Sequence, residues 1–197
     1  MASLCIEGWR DINHSFSLLN QWQLLQFVRS NLNLYHRDIP FSWDRKANGS
    51  GFNKNQQDLI SSIPSPSLKD KFDVIYRISF PFNIADGNAD RIFVFGAPNL
   101  GHCKGKIIGG SPSEACKRGN LKIITCSQWS KIGFINSEFP EEKVKVIPLG
   151  VNPSCFYPIQ KDIKKKLRQS FGFKEDDFVL LNVGALTGNK GVEILIN

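Results

Sequence analysis

The residues best suited to chemistry lie near the carboxyl end of the chain, in FVLLNVGALTGNKG (Phe178–Gly191). The near-continuous apolar stretch Phe178–Val183 reads as a parallel strand buried on both faces, and Gly184–Lys190 as the turn into a helix starting at Gly191. A glycine-bearing turn of this kind lets the backbone approach phosphate oxygens, and the helix start adds free N–H groups and the positive end of a dipole. Lys190 would bring a full positive charge to the same place; the plainer alternative is a surface lysine. Gly184 and Gly188 serve the turn under either reading.

Two further loops hold reactive side chains. Asp11, Asn13 and His14 follow the first expected strand, and His102, in NLGHCKG, follows the strand RIFVF. Ligands of open α/β sheets gather at the carboxyl ends of the strands, so both loops face a cleft in such a fold. His14 is a ligand contact or, alternatively, the residue that opens the next helix. His36 follows an ambiguous strand and reads as structural or exposed. Cys103 lacks any partnered base, so it is no nucleophile. The five cysteines, Cys5, Cys103, Cys116, Cys126 and Cys155, are spread widely with no CxxC pair, which disfavours a disulfide frame and a metal site and suits a reducing, cytoplasmic setting.

The elements that would position these residues alternate. Ala2–Ile6 reads as a buried strand, Gly8–Ser15 as a polar loop in which Asn13 or Ser15 caps a helix, and Phe16–Arg29 as that helix. Leu18, Leu19, Trp22, Leu25 and Val28 keep helical spacing and should face inward. Asn31–Phe41 is ambiguous, Ser42–Lys54 a polar loop, and Asn55–Ile63 a short helix stopped by SSIPSPS. Strands follow at Phe72–Ile78, Arg91–Phe95, Leu121–Thr125 and Val144–Ile147, with a weakly patterned stretch from Gly96 to Asn120 that holds a helical turn at Ser113–Arg118. Ser127 caps a helix carrying Trp129, Ile132 and Ile135. Trp22 and Trp129 fall on faces expected to be buried. Strand, loop and amphipathic helix in alternation predict a doubly wound α/β domain with a parallel sheet.

Pro148–Pro158 breaks this rhythm with three prolines and a glycine. The expected organisation is a first domain over 1–150, a linker over 151–160 and the start of a second domain over 161–197. Ile163, Leu167 and Phe171 recur every four residues on a helix ended by Gly172. Its opposite face carries Lys161, Lys164, Lys165, Lys166 and Arg168.

Composition narrows the partners. At 41% hydrophobic and 22% charged the chain can bury a sizeable core. No apolar run reaches the roughly 20 residues of a membrane span, and Glu7 interrupts the N-terminal apolar stretch, against a signal peptide. Of the net charge of +7, residues 1–100 supply +1 and residues 101–197 supply +6. That excess suits a phosphorylated ligand, an anionic membrane surface or nucleic acid. Nucleic acid is disfavoured, because aromatics do not interleave with the cations and no binding motif is present.

TCSQWSKIGF (Thr125–Phe134), KVKVIPLGVNPSCFYP (Lys143–Pro158) and VLLNVGALTGNKG (Val179–Gly191) resemble, in order and spacing, the retaining family-4 glycosyltransferases. The run EGWRDINHSFSLLNQWQLLQF looks like the acceptor-side start of some bacterial members. The resemblance implies a GT-B fold: a Rossmann-like N-terminal domain followed here by a truncated second Rossmann-like domain. It implies a nucleotide-sugar donor, used as substrate, with no cofactor and no metal. Gly184 and Lys190 would bind the donor diphosphate, with Lys190 stabilising the leaving group, an effect of about 3–4 kcal/mol for comparable electrostatic contacts. Asp11, Asn13 and His14 would form the acceptor-side loop. His102, with His14, becomes a candidate for the catalytic histidine such enzymes place near acceptor and donor sugar. The family's paired glutamates would fall beyond Asn197. Ala185 departs from the pattern, which has arginine there, and reduces two diphosphate-binding cations to one.

The acceptor is open: a glycan, a lipid or a small molecule. Family members often act on membrane-bound acceptors, so Lys164, Lys165, Lys166 and Arg168 would contact an anionic membrane peripherally; the plainer reading is a solvated helix face. Two other classes remain. One is a non-enzymatic Rossmann-like binding module with a degenerate donor site, which Ala185 favours. The other is a basic membrane-surface or nucleic-acid-binding protein.

Overall fold

The computed structural model describes residues 1–12, 14–41, 51–184, 192 and 194. They divide into two compact units, Met1–Leu149 and Gly150–Asn197.

The first unit is built on a six-stranded sheet, every neighbouring pair of which is parallel. Its strands are β1 (Ser3–Gly8), β2 (Asn33–Asp38), β3 (Phe72–Ile78), β5 (Ala89–Phe95), β7 (Leu121–Thr125) and β8 (Val144–Val146), in the order β2-β1-β3-β5-β7-β8. Two dipeptide strands, β4 (Phe82–Asn83) and β6 (Ile107–Ile108), pair separately. Helices α1 (Ser15–Phe27), α2 (Lys54–Ser61), α3 (Pro112–Lys117) and α4 (Gln128–Ile135) lie between strands. This is the doubly wound, Rossmann-like α/β architecture that the alternating pattern predicts.

Both faces of the sheet are buried. Leu4, Ile6, Tyr76, Ile78 and Phe95 pack with Leu24 and Leu25 of α1 and Ile60 of α2. On the other face Cys5, Ile75, Ile92, Val94, Leu121 and Ile123 pack with Ala115 and Cys116 of α3 and Phe134 of α4. Two-sided burial leaves FDVIYRI and LKIIT mostly apolar, with Asp73, Arg77 and Lys122 as the charged exceptions. The edge at β2 is partly covered by the proline-rich stop, where the His36 N–H donates to the Pro64 carbonyl at 3.0 Å.

One charged row crosses this apolar sheet. Glu7 of β1 stands in register with Arg37 of β2 and Arg77 of β3. Its carboxylate accepts from Arg37 Nη1 at 2.5 Å and from Arg77 Nε at 2.8 Å. Arg77 is only 4% exposed. Its remaining N–H groups donate to the carbonyls of Asn83 (3.4 Å), Ala85 and Asp86 (3.2 Å), while Arg118 donates to that of Ile84 at 2.5 Å. Irregular backbone next to a core needs partners, and two guanidinium groups supply them for residues 83–86.

Several expectations are corrected. The inward face of α1 holds Ser17, Asn20, Gln21, Leu24 and Leu25, while Leu18 is 47% exposed. The helix is turned so that Asn20 can hydrogen-bond Trp9 and His36. On α4, Ser130, Gly133 and Phe134 face inward; Ile132 and Trp129 do not, Trp129 being 61% exposed. A close contact selects that face, since a Cβ on Gly133 would come within 2.8 Å of the Pro98 ring. Trp22, half-buried, does pack against the core.

In the second unit α5 (Lys161–Ser170) forms as expected. Gly172 ends it at a φ of +80°, with Gly172 N–H bonded to Gln169 O and Phe173 N–H to Arg168 O, a Schellman closure. Ile163, Leu167 and Phe171 are exposed, however, and so are Phe178, Leu180, Leu181 and Val183. The strand expected over 178–183 is not formed, because no strand among the described residues of this unit pairs with it.

Glu7→Ala leaves two guanidinium groups without their carboxylate inside the sheet, an arrangement that destabilises by about 3–5 kcal/mol. A clear fall in the urea midpoint is expected; an unchanged midpoint would show that water replaces the carboxylate without loss.

Candidate functional site

Strand order reverses at β1, whose successor β2 lies on one side and β3 on the other. In open α/β sheets the crevice at such a switch, beyond the carboxyl ends of the strands, is where ligands bind. Four stretches meet this edge: 9–12 after β1, 79–81 after β3, 96–102 after β5, and the N-terminus of α4 after β7. Two glycines let them start close together. A Cβ on Gly8 would lie 2.8 Å from the Ile78 side chain and 2.9 Å from Asn20 Nδ2, and one on Gly96 would lie 2.5 Å from the Phe134 ring.

The first loop is held from beneath by a buried polar chain. Asn20 Nδ2 lies 2.9 Å from the Trp9 carbonyl and 2.9 Å from His36 Nε2. His36 is 0% exposed. Burial, aided by the charge of Arg10 and opposed by Asp38, pushes its pKa down to about 4, so the ring is neutral. With Nε2 accepting from Asn20, the network assigns the proton to Nδ1, which lies 3.5 Å from Asp38 Oδ1. Arg10 closes the chain with a two-point fork on Asp38 and a 3.1 Å bond to the Ile60 carbonyl. Burial would raise the Asp38 pKa, but the hydrogen bond and charge of Arg10 outweigh it, and the group titrates below the usual carboxylate range.

His14 is the N-cap of α1, its Nδ1 accepting from Phe16 N–H at 3.1 Å. Its ring meets those of Trp9 (5.0 Å), Phe16 (5.5 Å) and Phe41 (6.2 Å) edge to face. The helix-opening alternative therefore describes His14, and Ser15 is not the cap. Asp11 is exposed at a φ of +55°; Asn13 lies outside the described residues. His36 is structural, as one of its two readings had it.

His102 is exposed on the third stretch, with Nδ1 accepting from Lys104 N–H at 3.1 Å. In the neutral ring this leaves the proton on Nε2, available as a donor. The stretch is tied to α4: Asn136 Nδ2 donates to Gly101 O at 3.0 Å, and Cys103 N–H to Ser137 Oγ at 2.6 Å. Cys103 itself is buried, and burial pushes its thiol up to about 11, the opposite of an activated nucleophile. His14 and His102 thus lie on loops that follow β1 and β5, with β3 between them in the sheet.

Gly184 is described and exposed; Ala185, Gly188 and Lys190 lie outside the described residues. Among the described residues no three His, Cys, Asp or Glu side chains come together as metal ligands. No described helix is long and apolar enough to cross a membrane.

Periodicity did not reveal the Asn20–His36 link or the outward Trp129. Glu7 did leave a signal: an acid in an otherwise apolar strand, matched by the arginine in FDVIYRI.

No family model matches the chain. It is 45% identical over 58 residues to a protein of Methanocaldococcus jannaschii named as an uncharacterized glycosyltransferase, the match covering 29% of this chain. It spans only 15% of that relative's length.

The buried His36 gives stability a defined pH response. The unfolded chain takes up the proton near pH 6.5, whereas the folded ring resists it until about pH 4. Unfolding free energy should therefore fall as pH drops through that window, by up to about 1.4 kcal/mol per pH unit. Denaturant titrations at pH 7.5, 5.5 and 4.5 would show the decline. His36→Gln, which can still accept from Asn20, should flatten it; an equal slope in the variant would assign the effect to other groups.

Proposed function

We propose that this chain belongs to a glycosyltransferase that moves a sugar from a nucleotide-sugar donor to an acceptor, of the GT-B type and retaining family-4 kind. The observation that carries this reading is the identity over 58 residues with a protein named as a glycosyltransferase. The parallel sheet, with its switch at β1, supports it as the kind of domain that presents ligands at strand ends.

The unit Met1–Leu149 takes the acceptor side, through the loops bearing Asp11, Asn13, His14 and His102. The region from 161 onward takes the donor, with Gly184 and Lys190 on the diphosphate. Catalysis then rests on stabilising the leaving diphosphate and aligning donor with acceptor. Between the two histidines, His102 is the better candidate for contact with reacting groups. Its Nε2 is free of the cap and ring contacts that occupy His14.

A peripheral contact with anionic membrane is part of the same proposal. Along α5, Ile163, Leu167 and Phe171 are exposed beside Lys164, Lys165, Lys166 and Arg168. A cationic helix with an uncovered apolar stripe suits a lipid interface. In flotation with phosphatidylserine vesicles the chain should co-migrate at low salt and detach as salt rises. Binding to neutral vesicles alone would remove the electrostatic part of the reading.

The enzymatic part is tested by incubating the protein with a panel of UDP-, GDP- and ADP-sugars and following release of the nucleoside diphosphate. Turnover of at least one donor is expected, and Lys190→Ala should lower kcat by about 100-fold or more. Ala185→Arg should tighten nucleotide binding. An absence of turnover together with an absence of nucleotide-dependent thermal shift would sink the reading.

A further inference from the structure

Trp129 is the residue that helical spacing points inward and the fold turns outward. It occupies the second position of α4, after the Ser127 cap, on the edge where β5 and β7 end. Its indole is 61% exposed, yet it has a defined seat. A Cβ on Gly101 would lie 3.7 Å from Trp129 Cζ2 and 4.0 Å from Cη2, so the glycine backbone lies alongside the far edge of the ring. Gly101 has a φ of +69°, a conformation that favours glycine.

That seat is fixed from both sides. Asn136, the C-cap of α4, holds the Gly101 carbonyl, Pro98 packs against Gly133, and Ser137 holds the Cys103 N–H. Helix and loop are therefore one rigid piece. Leu100 on the same loop and Phe80 on the loop after β3 add exposed apolar surface at this edge, Phe80 resting against the buried Phe82 with ring centres 5.6 Å apart. Asn99 and His102, also exposed, flank Gly101 with hydrogen-bonding groups.

A flat, pre-ordered aromatic surface with polar groups at its margin matches a pyranose ring, which has an apolar C–H face and a rim of hydroxyls. A rigid ring on a pinned loop loses little conformational freedom when a ligand is placed on it. We propose that Trp129, seated on Gly101, is the stacking platform for a hexopyranoside acceptor, an inference that rests on the glycosyl-transfer reading.

The full chain would be examined by saturation-transfer-difference NMR with methyl α-D-mannopyranoside and methyl α-D-glucopyranoside. Transfer to ring C–H protons of at least one glycoside is expected, lost in Trp129→Ala and kept in Trp129→Tyr. Because the side chain is exposed, both variants should unfold near the wild-type urea midpoint. In parallel, the KM for the glycoside should rise about tenfold or more in Trp129→Ala. If donor turnover is present and neither the NMR transfer nor the KM responds to Trp129→Ala, the platform is wrong and the transfer reading stands. If no donor is turned over and no nucleotide sugar shifts the melting temperature, but the glycoside still binds through Trp129, the platform stands and the transfer reading falls. A concentration-dependent dimer that Trp129→Ala dissociates, with no glycoside binding, would give the ring to a protein interface and overturn the proposal.

Discussion

The row Arg37–Glu7–Arg77 is the constraint on which the first unit depends. It places a carboxylate between two guanidinium groups inside a sheet whose buried faces are mostly apolar. A buried ion pair of this kind adds little net stability relative to an apolar substitute, but removing one member is expensive. The row also sets register. Sliding β1 by one residue against β3 would move Glu7 to the face occupied by Leu4, Ile6 and Ile78, away from both partners. And because Arg77 reaches on to the carbonyls of Asn83, Ala85 and Asp86, the same charge that aligns the strands also shapes the chain after β4.

From that alignment the carboxyl-end edge acquires two unlike halves. Beside β1 and β2 the polar groups are consumed internally. Asn20 bonds His36 and Arg10 bonds Asp38, although Asn20 Oδ1 and His36 Nδ1 keep no hydrogen-bond partner among the described residues, and His14 spends its acceptor on the start of α1. Beside β5 and β7 the ties run between backbone and small polar side chains, through Asn136 and Ser137, leaving His102, Leu100 and Trp129 facing outward. The first half resembles a foundation, the second a surface open to ligands. This division is why the proposed ligand contacts are His102 and Trp129 rather than His14.

The sheet was legible in the sequence because burial on both faces writes itself as apolar runs of strand length. Phe72–Ile78 and Leu121–Thr125 match their expected bounds. Helix orientation was harder. On α1 and α4 apolar residues occur on more than one face, so spacing alone could not choose the buried one. Asn20 and Gly133 made the choice, one through hydrogen bonds to residues distant in sequence, the other by tolerating Pro98. Neither effect has a local signature. The same limit applies to His14, whose capping role depends on a ring nitrogen where Asn13 and Ser15 offered commoner caps. For the diphosphate turn the sequence reading stands as it was, since Lys190 is outside the described residues.

The second unit shows what sequence pattern cannot provide by itself. Its helix has sound ends and a Lys165–Glu175 ion pair at 2.8 Å. Yet among its described residues none is buried. A helix of this length is marginal in water without tertiary packing, and an exposed ion pair contributes little. The stripe Ile163, Leu167 and Phe171 and the run Phe178–Val183 are therefore apolar surfaces whose stabilising contribution is unrealised within the unit's own described contacts. A diphosphate site at the end of such a run requires strand 178–183 to be formed, because the free N–H groups and the lysine converge only when strand and helix are both in place. Under the proposed function, donor binding would then include the cost of forming strand 178–183. The carboxyl-end edge of the first unit carries no such requirement, since its described loops are anchored to a core.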